Sequence, residues 1–309
     1  MTARQYLRLG TRVSALARWQ ANWVASRLRE LGAEVILVPI TTSGDRHAEG
    51  SIGGLGEKGV FTKEIQRALL HDRIDLAVHS LKDVPTDPVP GLCLAAVPER
   101  APVADVLVSR KYRSLEELPQ GAAVGTGSLR RRAQLLHARA DLEMKDIRGN
   151  VDTRLWKLDQ GDYDAVVLAE AGLRRLDLAE HIAQVLPLSI LLPAVGQGAL
   201  GLECRDDDRA ARELVAALDH AATRAAVLAE RAMLATLFGG CLAPIAAWGR
   251  IENDRLVLTG RVLPPDGSQK VEATLDADPA EAVELGNQVA QLLLLQGAAK
   301  FIAAARQGA

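Results

Sequence analysis

Along the first two thirds of the chain, short apolar runs take turns with longer stretches in which apolar residues recur every three or four positions. "YLRLG" (6–10) reads as a strand. Ser14 then stands where a helix cap belongs, and the apolar spacing predicts a helix from Ala15 to Leu31 that stops at Gly32. "AEVILVPI" (33–40) is a buried strand, and a helix from about Phe61 to His71 leads to a third strand, "IDLAVHS" (74–80). This βαβαβ order implies a parallel sheet with helices on both faces.

After "PERAPVAD" the pattern starts again. "AAVGT", "LEMKDI" and "YDAVVLAEA" read as strands, separated by the helices "SLRRRAQLLHAR" and "VDTRLWKLDQ". A further buried strand with tight glycines lies in "LPAVGQGALGLECR" (192–205), and it can cross back to the first domain. The last third changes period. "IAAWGRI", "RLVLTGRVL" and "KVEATLDA" predict three antiparallel strands, the last two joined at "PPDG", and residues 278–305 predict one long amphipathic helix. The expected division is an α/β domain over 1–98 completed by 194–217, a second α/β domain over 99–193, and a small α+β domain over 218–309.

Composition narrows the class without naming a function. At 309 residues the chain is too long for one ordinary core, and 48% hydrophobic with 25% charged residues suits a soluble globular protein. The N-terminus lacks an apolar core of the secretory kind, and no apolar run approaches a membrane span. Cys93, Cys204 and Cys241 cannot all pair, so free thiols in the cytoplasm are expected. The six histidines are scattered without ligand spacing, and no metal is expected.

A net charge of −2 excludes a general polyanion binder, yet the basic residues are lopsided, with 29 arginines among 37. The bland reading of that bias is the base composition of the gene. Between Ser128 and Lys157, however, eight basic side chains face four acidic ones. Arginine's planar fork holds carboxylate or phosphate at two points, and almost no aromatics interleave here, so a small multiply anionic ligand fits better than nucleic acid.

Candidate chemistry sits at strand ends. "GTRVS" (10–14) and "GTGSLRR" (125–131) each put a hydroxyl and arginine at a helix start, where Arg12, Arg130 or Arg131 can clamp an anion, although a serine there can equally be a cap and nothing more. In "HSLKDVP" (79–85), Asp83 lies beyond the end of a strand, where α/β sheets form clefts; it is either an exposed partner of Lys82 or a proton-transfer group. The long polar, Gly-rich segment 41–59 reads as a lid that brings Lys58 to an anion, or as a plain linker. Finally, "LFGGCLAP" sets Cys241 directly after two glycines on a turn, whereas Cys93 and Cys204 sit in apolar runs and suit burial.

The motifs "HSLKDVP", "GTGSLRRRAQL", "IRGNVDTRL", "LAEAGLRRL", "PAVGQGAL" and "ERAMLATLFGGCLAPIAA" follow one another in this order. In this succession the chain resembles the porphobilinogen deaminase (hydroxymethylbilane synthase) family from about residue 7 to 250. The resemblance implies a transferase that joins four porphobilinogen molecules head to tail with loss of ammonia, in tetrapyrrole and heme biosynthesis. The chain would grow on a dipyrromethane cofactor bound through a thioether to the Gly-Gly cysteine, which matches Cys241.

By the same resemblance Asp83 is the catalytic aspartate, and Lys82, Ser128, Arg130 and Arg131 hold cofactor carboxylates. Arg12, Ser14, Arg148, Arg154 and Arg175 contact incoming substrate and chain, and Lys58 and Phe61 belong to the lid and its hinge. The family usually has serine where Gly127 stands. The implied fold is two domains like type II periplasmic binding proteins flanking a cleft, plus a C-terminal α+β domain with a three-stranded antiparallel sheet. A cytoplasmic monomer without nucleic-acid or membrane partners is expected.

Two competing readings remain at this level. A non-catalytic two-domain receptor for a small polycarboxylate would call for an export signal or a DNA-binding helix-turn-helix, and a first strand at residue 6 leaves room for neither. An enzyme using Cys241 as an ordinary nucleophile would call for a histidine base, and the nearest in sequence is His220.

Overall fold

The computed structural model describes residues 6–43, 61–237 and 244–307. Its elements begin with β1 (Leu7–Thr11), α1 (Ala15–Glu30), β2 (Val35–Pro39), α2 (Lys63–Leu70), β3 (Leu76–Ser80) and β4 (Leu92–Ala96). There follow β5 (Asp105–Val108), β6 (Ala123–Gly125), α3 (Leu129–Ala138), β7 (Glu143–Lys145), α4 (Val151–Asp159), β8 (Ala165–Ala169), α5 (Glu170–Arg175) and β9 (Gln184–Val185). The chain continues through β10 (Leu200–Arg205), α6 (Arg209–Ala216) and α7 (Ala221–Thr236). It ends with β11 (Ile245–Glu252), β12 (Arg255–Val262), β13 (Val271–Ala277), α8 (Ala282–Leu295) and α9 (Ala298–Gln307).

These elements fall into two compact units. Met1–Arg100 with Ala199–Arg224 makes the first, and Ala101–Gly198 with Ala225–Ala309 the second. The first unit's sheet has the order β2-β1-β3-β10-β4. β1 is parallel to β2 and β3, as strand–helix–strand order requires. β10 is antiparallel to both its neighbours, β3 and β4, so the parallel pairing expected of β1, β2 and β3 holds while the returning strand makes the sheet mixed. Its apolar run leaves that direction open: a strand buried on both faces reads the same whichever way it points.

Helix α1 shows why this unit folds as it does. Ser14 caps it, Oγ accepting from the Ala17 N–H at 3.4 Å. The helix closes at Gly32, whose φ of +86° lets the Ala33 N–H reach back to the Leu28 carbonyl at 3.1 Å. Ala21, Val24, Ala25 and Leu28, at helical spacing, pack on Leu7, Leu9, Leu76 and Val78 of β1 and β3. Each such large side chain contributes about 1.5–3 kcal/mol by leaving water. α2 covers the sheet's other face with Ile65, Ala68 and Leu69.

Cys93 and Cys204 face each other across β4 and β10 with their sulfurs 3.8 Å apart. Cys204 is buried, as its apolar run predicts, while Cys93 is only half-buried. Burial, reinforced by Cys93, pushes the Cys204 thiol up to about 12, which leaves it protonated and unreactive at neutral pH.

The second unit holds two sheets. One is ordered β7-β6-β8-β5-β9, with β6 parallel to β7 and β8 and β5 antiparallel to β8 and β9. The other is the antiparallel β11-β12-β13. Asn253 and Asp254, at φ +49° and +61°, make the tight turn between β11 and β12. Gly267 closes the "PPDG" turn by donating to the Pro264 carbonyl at 3.0 Å. Ala229 and Met233 of α7 and Val289 and Leu293 of α8 cover one face of this sheet.

The single C-terminal helix read from the sequence is two helices. α8 and α9 meet at 86°, because Gly297 takes φ +95° and ends the first. Phe301 and Ile302 of α9 then turn back onto the same core. Among the described residues no single helix is long and apolar enough to cross a membrane.

Candidate active site

In the first unit the predicted residues gather at one edge of the sheet. β1 and β3 are adjacent and parallel, so the segments leaving their carboxyl ends, Arg12–Ser14 and Lys82–Asp83, emerge side by side. A 3-10 turn over Leu81–Asp83 carries the latter pair. It is pinned by the Leu81 N–H on the Ala199 carbonyl at 3.0 Å and by burial of the Leu81 side chain. Gln20 of α1 donates to Ser80 Oγ at 2.8 Å, tying the helix to the base of the turn. Lys82 and Asp83 are half-buried on this support. Phe61 lies under the Arg12 guanidinium, 4.1 Å from Cζ to the ring centre. Lys58 lies outside the described residues.

In the second unit the basic residues collect at the matching edge. β6 lies between β7 and β8, all parallel. Ser128, Arg130 and Arg131 follow β6, Arg148 and Arg154 follow β7, and Arg175 follows β8. Ser128 caps α3, its Oγ accepting from the Arg131 N–H at 3.5 Å. Arg148 is exposed and pairs with Asp146 at 2.8 Å. Gly127 fits beneath them: a Cβ there would stand 3.0 Å from the Ile147 carbonyl and from Asp146 Oδ1.

Arg130 and Arg131 are buried, and both reach the same carboxylate. Asp105, at the start of β5 and fully buried, accepts from Arg130 Nη2 at 2.7 Å and from Arg131 Nη2 at 2.7 Å. Burial alone would raise the Asp105 carboxyl, but the two guanidiniums outweigh it and hold it down at about 2. Arg130 Nη1 also reaches the Leu192 carbonyl, and Arg131 Nη1 the Val167 carbonyl at 2.9 Å. Arg130 Nε is buried and without a hydrogen-bond partner among the described residues.

Arg154 is poorly compensated. Its Nε donates to the Gly149 carbonyl at 2.8 Å, and burial, then repulsion from Arg131 and Arg148, lowers it to about 10. Arg175, buried with Nη2 on the Gly198 carbonyl, is lowered to about 10 by burial. Crowded guanidiniums this reluctant to be charged are what an arriving polycarboxylate relieves.

Two family models cover nearly the whole chain. The model described as the porphobilinogen deaminase dipyromethane cofactor binding domain matches residues 7–213, and that for the porphobilinogen deaminase C-terminal domain matches residues 224–295. The chain belongs to the porphobilinogen deaminase family. The porphobilinogen deaminase of Syntrophotalea carbinolica is 50% identical over 300 residues, 96% of this chain and 95% of that protein. That of Pelotomaculum thermopropionicum is 50% identical over 301 residues, 97% of this chain and 96% of that protein. Among solved structures, the methionine-binding protein MetQ is similar over 69% of this chain and 90% of its own, with 16% identity and a TM-score of 0.45. A nutrient-binding protein from Burkholderia cenocepacia gives a TM-score of 0.43 at 14% identity over 68% of this chain and 90% of its own.

As a member of the porphobilinogen deaminase family, the chain is a transferase that condenses porphobilinogen head to tail on a dipyrromethane cofactor, and the receptor reading gives way to it. The residues present fit such a cofactor. Each of its pyrroles carries two carboxylates, and the second unit offers a buried Arg130 Nε that has no hydrogen-bond partner among the described residues.

Three polar residues that the sequence reading passed over stand behind this set. Asp105 is a lone acid opening the apolar run "DVLV", Gln197 lies within "PAVGQG", and Glu230 opens "ERAML". A charge in a run bound for burial is the signal that would have found the first. Cys241 lies outside the described residues.

Proposed function

We propose that Asp83 moves the protons of this reaction and that Cys241 carries the dipyrromethane through a thioether. As an acid, Asp83 gives its proton to the substrate's amino group while the C–N bond breaks and its electron pair leaves with ammonia. The carboxylate then faces the resulting cation, and it finally takes the pyrrole α-proton lost on coupling, which restores the acid. Its position on a pinned turn at the carboxyl end of β3 supports that role.

Lys82, Ser128, Arg130 and Arg131 hold cofactor carboxylates, while Arg12, Ser14, Arg148, Arg154 and Arg175 receive substrate and growing chain. Lys58 and Phe61 belong to a lid. The observation that carries this assignment is the Arg154 cation, buried beside two like charges. The chain works as a monomer in the cytoplasm on its small-molecule substrate, without nucleic-acid or membrane partners. The near-neutral net charge of −2 and the odd number of cysteines support that placement.

Intact-mass measurement tests the proposal. The purified chain should exceed its sequence mass by two pyrrole units on the peptide containing Cys241, react with Ehrlich's reagent, and gain one-pyrrole steps with substrate. An unmodified chain with full activity would remove Cys241 from the scheme.

A further inference from the structure

Arg130 and Arg131 are neighbours in sequence at the start of one short helix, and both are buried. Two cations in one dry place need a counter-charge, and Asp105 is placed to supply it. Its Oδ2 takes Arg130 Nη2 at 2.7 Å; its Oδ1 takes Arg131 Nε at 3.1 Å, Arg131 Nη2 at 2.7 Å and Gln197 Nε2 at 2.9 Å. Backbone carbonyls of Leu192 and Val167 hold the other arm of each guanidinium. Both planes are thereby fixed before any ligand arrives.

The connections run further. Gln197 Nε2 also donates to the Val103 carbonyl at 2.8 Å, which fixes the amide. The preceding residue, Gly196, donates its N–H to Glu230 Oε2 at 2.7 Å, and Glu230 Oε1 accepts from the Gly249 N–H at 2.8 Å. Glu230 is fully buried on α7, and five residues past the end of that helix the sequence reaches Cys241. Two buried carboxylates, bridged through Gly196 and Gln197, therefore join the arginine pair to the helix that precedes the cysteine.

We propose that Asp105 is a positioning residue that fixes Arg130 and Arg131 for carboxylate binding, and that Gln197 and Glu230 register this pair against α7. This rests on the assignment of those arginines to the cofactor. Asp105 touches no reacting atom in this scheme; it sets where the guanidiniums point and cancels one of their two charges.

The test is Asp105→Asn, which keeps size and one acceptor oxygen but removes the charge. Leu107→Ala, a cavity on the same buried strand, serves as a control for destabilisation alone. Intact mass reports the fraction of purified protein carrying the two-pyrrole adduct, and scanning calorimetry reports stability. Asp105→Asn should carry the adduct in a fraction about tenfold smaller than the parent, while Leu107→Ala keeps the parental fraction despite its lower melting temperature.

A folded Asp105→Asn with the parental fraction overturns the proposal, as does an equal loss in Leu107→Ala. If Asp105→Asn does not fold, Gln197→Met decides. A loss of about twofold or more supports the register, and parental retention overturns it. A parent without any adduct would instead defeat the cofactor assignment, which separates the two failures.

Discussion

Replacing Arg154 by methionine should stabilise the empty protein while disabling it. Methionine is shorter but has nearly the same volume, so the change removes mainly a charge and its hydrogen bond. Burial, with Arg131 and Arg148 nearby, lowers this guanidinium from its ordinary value to about 10, so the fold holds a cation it disfavours. At 1.36 kcal/mol per pKa unit, holding it charged at neutral pH costs about 3 kcal/mol. The sign follows from the direction: a base whose folded pKa is depressed destabilises the fold at every pH where it stays charged. Against this stands the hydrogen bond from Nε to the Gly149 carbonyl, whose loss costs about 1.5 kcal/mol. The balance is about 1–2 kcal/mol in favour of methionine, or about 3 °C in melting temperature for a chain of this size.

Scanning calorimetry in a Cys241→Ser background, where neither parent nor variant should carry the adduct, makes the comparison direct. With Cys241 restored, the Arg154→Met protein should gain one-pyrrole steps with substrate more slowly than the parent. A lower melting temperature for Arg154→Met in the adduct-free pair would refute the reasoning, since the cation would then be a net stabiliser.

Asp83→Asn keeps size and hydrogen bonding, and turnover should fall by at least about a hundredfold with the melting temperature unchanged; near-normal turnover removes Asp83 as the proton carrier. Arg148→Lys keeps the charge but loses the fork, so native mass spectrometry should find stalled, partly built chains rather than merely weaker binding. Asp105 is held down at about 2, so its stabilisation, about 2 kcal/mol, is present above its unfolded value near 4 and is lost as the pH falls toward 2. Urea midpoints between pH 5 and pH 2 should show that loss in the parent and not in Asp105→Asn. Gly127→Ser restores the family's usual residue but sets a Cβ 3.0 Å from the Ile147 carbonyl. The variant should lose about 1 kcal/mol by chemical denaturation, and unchanged stability would mean the 146–148 segment yields freely.

What the sequence made legible was local. Ser14 and Ser128 announce helix starts because a cap needs only residues three positions away, and both oxygens do accept those N–H groups. The residues read at strand ends fall at two sheet edges for the same reason, since strand and following turn are contiguous. The direction of β10 was not legible, because it depends on β3 and β4, more than a hundred residues earlier. The break before α9 was hidden differently: apolar periodicity runs on through residues 292–302, and only the left-handed backbone at Gly297 turns the chain. β4, β5 and β9 were missed as strands that are short or broken by small residues.

Asp105 shows where that boundary lies for function. Read alone, an aspartate opening "DVLV" is an awkward residue in a buried strand, costly unless paired. Its partners come from residues 130, 131 and 197, and no spacing rule connects those positions. The arginines, by contrast, advertise themselves, because a ligand's carboxylates select a residue type that reads the same in any context. The groups proposed to meet the ligand are therefore visible in composition and motif. The groups that aim them are chosen by tertiary geometry, and they come to light only when the question changes from what binds the anion to what keeps the cations in place without it.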